Sequence, residues 1–345
     1  MKKINCLFLC VLLTNMALNL SAQNYKLMDI GTLRSKAQQG NSRAQYELAV
    51  RYLNGKGVAQ NNDESYKWVR KAAEQGLDEA LYGVGQCFSN GIGVKKDWEE
   101  AIVWYRKAAA KNYAFAYNEI GHYYCSIKKN YAEAEKMFRK GAKLGSDGCM
   151  FNLGGMYENG SGVAKNYSQA LKWYRDAESH PVGDQSMTGA AQERLGFFYE
   201  NGYGTTKNMQ EAAKWYRKSA DNNDKVGIYS YGKFLEYGYG GVKKNTKEAA
   251  RLYLKSANMG YAKAQCKVGW MYDSGNYVTK NLTEAYKWYV KSANNGYNMG
   301  QYNLGHSYEY GRGVKANRQE AIKWYKKASA NGYKKAGQAL QRLKQ

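Results

Sequence analysis

The sequence has one proline, three histidines and six cysteines among its 345 residues. With a single proline, long helices can run uninterrupted, because proline removes a backbone donor and breaks helix interiors. His122, His180 and His306 show no H-E-x-x-H spacing and no nearby cysteine–histidine pair. A metal centre needs three or four convergent ligands, so no metal and no other cofactor is expected. A serine nucleophile would need a base and an orienting acid at one locus, and no such set occurs, so no catalytic residue is expected. After the N-terminus no run approaches the roughly 18 apolar residues of a membrane span. Acids are scarce too: 29 Asp and Glu stand against 52 Lys and Arg, a formal charge of +23.

Glycine and tyrosine are abundant, at 37 and 33 residues. So many glycines in a nearly proline-free chain need a regular place to sit, which points to a repeat protein. At the N-terminus Lys2 and Lys3 precede an apolar stretch, 7–13, interrupted only by Cys10, and Ser21-Ala22-Gln23 supplies small residues. That is the pattern of a secretory signal over 1–22. The mature protein is therefore expected outside the cytoplasm: periplasmic, at the outer surface or secreted. Removing the signal takes away Lys2 and Lys3 and no acid, so the charge falls from +23 to +21. Such a charge favours polyanions. An exported protein rarely meets nucleic acid, so anionic envelope polymers and acidic proteins are the expected counterparts. Cys6 and Cys10 leave with the signal; Cys87, Cys125, Cys149 and Cys266 remain.

Aligned on a small residue, the chain starts again at Ala44, Ala80, Ala116, Cys149, Ala191, Gly227, Ala264 and Gly300, mostly 36 residues apart, with a truncated copy from Ala336. A period of this length marks stacked supersecondary units. Each unit opens with A-x-x-x-L-G-x-x-Y, one apolar stripe on a helix whose glycine admits a close neighbour. A G-x-G-V turn follows, as at Gly55/Gly57 and Gly311/Gly313. Repeat 7 keeps Gly275, and Asn276 is read as the substitute for the second glycine. The turn follows no strand, so it is read as backbone geometry and not as a phosphate loop. Asn61, Asp97, Asn130, Asn166, Asn208, Asn245, Asn281 and Asn317 precede the second helices, each with Glu or Gln three residues on. This predicts a reciprocal capping box in every unit. The second helix reads A-x-x-W-Y-x-x-A-A and stops at Gly76, Asn112, Gly145, Asn223, Gly260, Gly296 or Gly332, residues suited to a left-handed C′ position. In repeat 4 the stop is Pro181, and six extra residues lie near 179–188.

These blocks resemble the Sel-one-like repeat family, relatives of the tetratricopeptide repeat, over residues 44–335. The resemblance implies an all-α fold, a right-handed α/α superhelix of eight helix–turn–helix repeats. Residues 23–43 would supply an N-terminal capping helix and 336–345 a truncated C-terminal one. Repeat 3 departs at 126–129, where the G-x-G-V turn is lost. Some bacterial members are cysteine-rich, with a disulfide joining the two helices of each repeat, and have been linked to β-lactam binding or hydrolysis. Here all four mature cysteines sit on first helices, so that framework is absent. Cys125 and Cys149 stand about 13 Å apart along the axis, beyond disulfide reach. Cys87 with Cys125 stays open, and buried free thiols are the default.

The resemblance also implies that first helices line a concave face. Groove-facing positions then carry Tyr46, Tyr82, Phe151, Tyr229 and Tyr302 at the third place, and Phe197 and Trp270 at the seventh. Glu158, Glu200, Glu236, Asp273 and Glu309 at the tenth form a ladder of acids over the last five repeats. The basic residues flank the Trp-Tyr pairs on second helices. The sequence thus reads as a monomeric, exported scaffold that holds a protein or peptide partner in the groove. Two alternatives are an envelope protein binding anionic polymers through a basic outer face, and a β-lactam or peptidoglycan hydrolase.

Overall fold

The computed structural model describes residues 24–180 and 185–343. The expected signal over 1–22, Cys6, Cys10 and Pro181 lie outside them. Described residues form helices and turns and no strand, an α/α solenoid of helix–turn–helix repeats that divides into two compact units. The first unit, 1–153 with 161–163, holds α1 (Ile30–Gln38), α2 (Ser42–Asn54), α3 (Asn62–Glu74), α4 (Asp78–Asn90), α5 (Trp98–Ala110), α6 (Ala114–Ser126) and α7 (Tyr131–Lys143). The division falls within α8 (Asp147–Asn159). The second unit, 154–160 with 164–345, continues with α9 (Tyr167–Ser179), α10 (Gln185–Asn201), α11 (Met209–Asp221), α12 (Lys225–Tyr237) and α13 (Thr246–Asn258). It ends with α14 (Ala262–Ser274), α15 (Leu282–Asn294), α16 (Asn298–Tyr310), α17 (Arg318–Ala330) and α18 (Lys334–Arg342).

Each hairpin is closed by backbone geometry that its sequence makes cheap. Gly55 and Gly57 are both left-handed, at φ 66° and 75°. The second glycine also lacks room: a Cβ on Gly93 would sit 2.2 Å from the Asn62 carbonyl oxygen, and one on Gly313 2.0 Å from that of Leu282. In repeat 7 the expectation for Asn276 needs correction. The left-handed residue there is Tyr277, at φ 73°, because the second glycine's place is two residues after Gly275. Its phenol, bonded to Glu236 at 2.7 Å, holds a conformation a tyrosine would otherwise avoid. In repeat 3, Lys129 takes the left-handed role at φ 53°.

The predicted capping box forms only in half. All eight cap side chains accept the backbone N–H of a residue two or three places on. The reciprocal bond, from the cap N–H to the Glu or Gln side chain, is absent. The hairpin closes on itself instead, and each cap N–H donates to a carbonyl at the ninth position of the first helix, as from Asn61 to Tyr52 at 2.9 Å and from Asn317 to Tyr308 at 2.8 Å. The freed glutamates pair along their own helix, as Glu211 with Lys214 at 2.6 Å and Glu284 with Lys287 at 2.6 Å. Second helices end in left-handed residues where expected, including Asn112 at φ 63° and Asn223 at φ 57°.

Packing explains the mid-helix glycine. A Cβ on Gly85, Gly121, Gly154, Gly196, Gly232, Gly269 or Gly305 would press into the ring of Tyr105, Phe138, Tyr174, Tyr216, Tyr253, Tyr289 or Tyr325, at 3.0 Å or less. Repeat 1 proves the rule: its helix carries Ala49 at that place, and the facing residue is Val69. Giving up a Cβ costs helix stability of about 1 kcal/mol, less than the roughly 1.5–3 kcal/mol from burying a large side chain. In the first unit one core runs from Leu33 to Tyr123. Helix α1 closes its end, with Leu33 and Ala37 fully buried and its start capped by Asp29 on Thr32 N. At the other terminus α18 buries Ala336 and Ala339.

Candidate functional site

The residues read as a groove divide between the units. Tyr46, Tyr82 and Phe151 lie half-buried in the first; Phe197, Tyr229, Trp270 and Tyr302 lie in the second with all the acids of the ladder. Three of the third-position tyrosines pack, tilted or edge-on, against a tyrosine at the start of the following first helix. Tyr82 meets Tyr113 at 5.3 Å, Tyr229 meets Tyr261 at 5.4 Å, and Tyr302 meets Tyr333 at 5.0 Å between centroids. They are therefore part of the joint between neighbouring repeats as well as part of a surface.

The acids have partners of their own. Tyr174, Tyr216, Tyr253 and Tyr325 donate their hydroxyls to Glu158, Glu200, Glu236 and Glu309 at 2.5–2.6 Å. A cation from the next repeat takes each carboxylate as well. Arg194 pairs with Glu158, Lys233 with Glu200 at 3.5 Å, Lys267 with Glu236 at 2.8 Å, Arg312 with Asp273, and Arg342 with Glu309 at 2.6 Å. Glu236 is 5% exposed. Burial raises its pKa, but hydrogen bonds from Lys267, Tyr253 and Tyr277 outweigh that and hold it below the usual carboxylate value. The ladder is a row of joints between repeats, each carboxylate already engaged by the protein itself.

A rule within the chain follows. Where the second helix brings a buried tyrosine, the tenth place of the first helix holds an acid, or in repeat 2 Ser89, whose Oγ lies 3.0 Å from the Tyr105 hydroxyl. Repeats 1 and 3 place Val69 and Phe138 there, which need no acceptor, and carry Leu53 and Cys125 at the tenth place. Buried hydroxyls need a partner, and apolar residues do not.

With the acids engaged, the first helices of the second unit still expose aromatic rings. Trp270 is 39% exposed, whereas Trp68, Trp104 and Trp288 on second helices are at most 9% exposed. The Lys267 ammonium rests over the Trp270 ring at 4.5 Å, and Arg194 covers Phe197 at 4.4 Å. Tyr277 lies 6.5 Å from Trp270 between centroids, and Tyr237, Tyr239, Tyr277 and Tyr310 are exposed by 40–54%. Tyr237 stacks on Tyr239 at 5.3 Å, and His306 lies 4.6 Å from Tyr310. The repeat motif does not mark these tyrosines. The signal for Tyr237 and Tyr310 was the eleventh place, which holds Asn or Ser in the other repeats and Tyr only in repeats 6 and 8.

The Sel1 repeat matches the chain at 42–77, 78–113, 114–146, 148–178, 189–224, 226–261, 262–297 and 298–333. The chain belongs to the Sel1 repeat family. A protective antigen of uropathogenic Escherichia coli with an SLR fold is 34% identical over 92% of this chain and 67% of that one, at a TM-score of 0.62. A Sel1 repeat protein from Oxalobacter formigenes is 25% identical over 91% of this chain and 90% of that one, at a TM-score of 0.58. No curated protein matches. Sel1 repeats generally serve as protein–protein interaction scaffolds.

Within the Sel1 repeats the remaining candidate chemistry is structural. Cys87, Cys125, Cys149 and Cys266 are all free thiols. Burial pushes Cys87 up to about 11 and Cys149 and Cys266 up to about 12, which keeps them protonated and unreactive. His122 bonds Asn152 at 3.1 Å, and His180 lies against Ser179 and the Asp176 carbonyl. Among the described residues no group of three or more His, Cys, Asp or Glu could hold a metal ion, and no helix is long and apolar enough to cross a membrane.

Proposed function

We propose that this Sel1 repeat protein is exported and holds a segment of a partner protein along the first helices of its second unit. The exposure of the aromatic residues Trp270, Tyr237, Tyr239, Tyr277 and Tyr310, with Trp270 beside Tyr277 and Tyr237 stacked on Tyr239, carries this reading. Aromatic side chains that are already rigid give large contact area at little entropic cost, and they dominate binding energy at interfaces. The acids act indirectly here, by holding neighbouring repeats in register, with Lys267 and Arg194 laid across the rings. The basic N-terminus followed by an apolar stretch and small residues supports export, as does the similarity to a protective antigen.

The test is capture of partners from the native envelope fraction by the mature chain, compared with W270A/Y310A and with an outer-face variant, K71A/K107A. A partner lost only with the aromatic substitutions supports the proposal. A partner retained by W270A/Y310A sinks it.

One observation favours a second reading, anionic polymers on the outer face. Lys71, Lys107, Lys291 and Lys327 lie over Trp68, Trp104, Trp288 and Trp324 at 3.9–4.6 Å, without a carboxylate partner. Such binding would collapse at about 0.5 M salt, where screening lengths fall to a few Å.

A further inference from the structure

The third place of the first helix carries an aromatic residue in most repeats, but in repeat 5 it carries Glu193. Glu193 is 9% exposed, and its ion pair is a long one. Its nearest cation is Arg194, 3.7 Å away, beyond hydrogen-bond length. Arg194 is committed elsewhere: it bonds Glu158, its guanidinium covers Phe197, and its buried Nε has no partner. Two further acids, Glu158 and Asp224, act on Glu193, with Lys263 as the remaining cation. Tyr216 and Tyr261 both feel its charge. A largely buried carboxylate with one long ion pair is costly where an aromatic ring would serve for packing.

We propose that Glu193 is the binding site for a primary ammonium group, a lysine side chain or a free amino terminus of the bound segment. The inference rests on the reading of the first-helix face given above. The chemistry selects ammonium over guanidinium. A compact point charge can enter a largely covered site and satisfy a single carboxylate, whereas a planar guanidinium needs a wide bidentate approach. Unlike the ladder acids, Glu193 has valences left for a ligand. Burial holds its pKa up near 7, with Arg194 pulling it down and Asp224 and Glu158 pushing it up. An arriving ammonium would favour the ionised form.

The experiment titrates the mature chain and E193Q with three short alanine peptides by NMR: one acetyl-capped with a single lysine, one with a free amino terminus and no lysine, and one acetylated at both amines. The capped lysine peptide or the free-terminus peptide should bind, which tells the two sources apart, and the fully acetylated peptide should not. Affinity should fall about tenfold per pH unit below about pH 7 as the carboxylate protonates, and E193Q should lose it by at least tenfold while circular dichroism confirms its fold. Equal binding of the acetylated peptide, unchanged binding by E193Q, or no binding by any peptide overturns the inference. If E193Q fails to alter ammonium binding while partner capture still depends on Trp270, this inference alone falls. If ammonium binding behaves as expected while capture ignores Trp270, the reading of the face falls instead.

Discussion

Breaking one rung of the ladder tests whether the acids are joints. Glu200 accepts the Tyr216 hydroxyl at 2.6 Å and meets Lys233 at 3.5 Å. Tyr216 is 1% exposed, so E200L strands a buried hydroxyl, a loss of about 1–3 kcal/mol. The Lys233 pair is a third exposed and adds at most about 1 kcal/mol. Y216F removes a hydrogen bond to a charged group, about 1.5–3 kcal/mol. The double variant E200L/Y216F reproduces the apolar solution that repeats 1 and 3 already use. Its loss should therefore be smaller than the sum of the single losses, with a coupling of about 1–3 kcal/mol. Urea midpoints by far-UV circular dichroism give the totals. Because stacked repeats unfold through nearest-neighbour units, hydrogen exchange in α10 and α11 provides the local readout. Losses that add to within about 0.5 kcal/mol would refute the pairing.

Further outcomes follow from the same geometry. N281A should cost about 1 kcal/mol, because its side chain alone caps Glu284 N. E284A should cost less than about 0.5 kcal/mol, since Glu284 makes only an exposed i,i+3 pair with Lys287; a loss equal to that of N281A would restore the reciprocal box. G269A should destabilise by roughly 1–3 kcal/mol, because its Cβ would lie 2.6 Å from the Tyr289 ring. Y289V should rescue it, as Ala49 and Val69 coexist in repeat 1. Glu193 has a folded pKa near 7 against an ordinary 4.5, so the native state holds its proton longer than the unfolded one. Stability from this group is full below about pH 4.5 and lost as pH rises through about 7. E193Q should therefore gain up to about 3 kcal/mol over the parent at pH 8 and little at pH 4.5. A gain equal at both pH values would contradict the burial argument.

The fold was legible because each local signal recurs: small residue, glycine, left-handed turn and cap, at one spacing. The caps were read correctly as residues and only half correctly as bonds, since the competing acceptor, the carbonyl of Tyr52 and its counterparts, is a backbone atom no side-chain motif records. Asn276 suits a left-handed backbone by residue type, but the register of the turn puts that conformation on Tyr277. The acid ladder was visible as charge, but its meaning lay in a correlation between distant positions, Glu200 with Tyr216 and Leu53 with Val69. Reversing the charge of Glu200, Glu236 and Asp273 together would break three joints, so weakened binding after that change would say little about a groove. Glu193 was hidden for the opposite reason: the third place also departs from an aromatic at Asn118 and Cys266, and only its burial distinguishes Glu193 from a solvated acid.

The most direct test of the binding proposal is site-specific photo-crosslinking in the native cell envelope. A benzophenone side chain would replace Trp270 or Tyr310 on the first-helix face, or Lys323 on a second helix. The account predicts one common partner protein from positions 270 and 310 and none from 323. Crosslinking from 323 alone, or to unrelated proteins from every position alike, would contradict it.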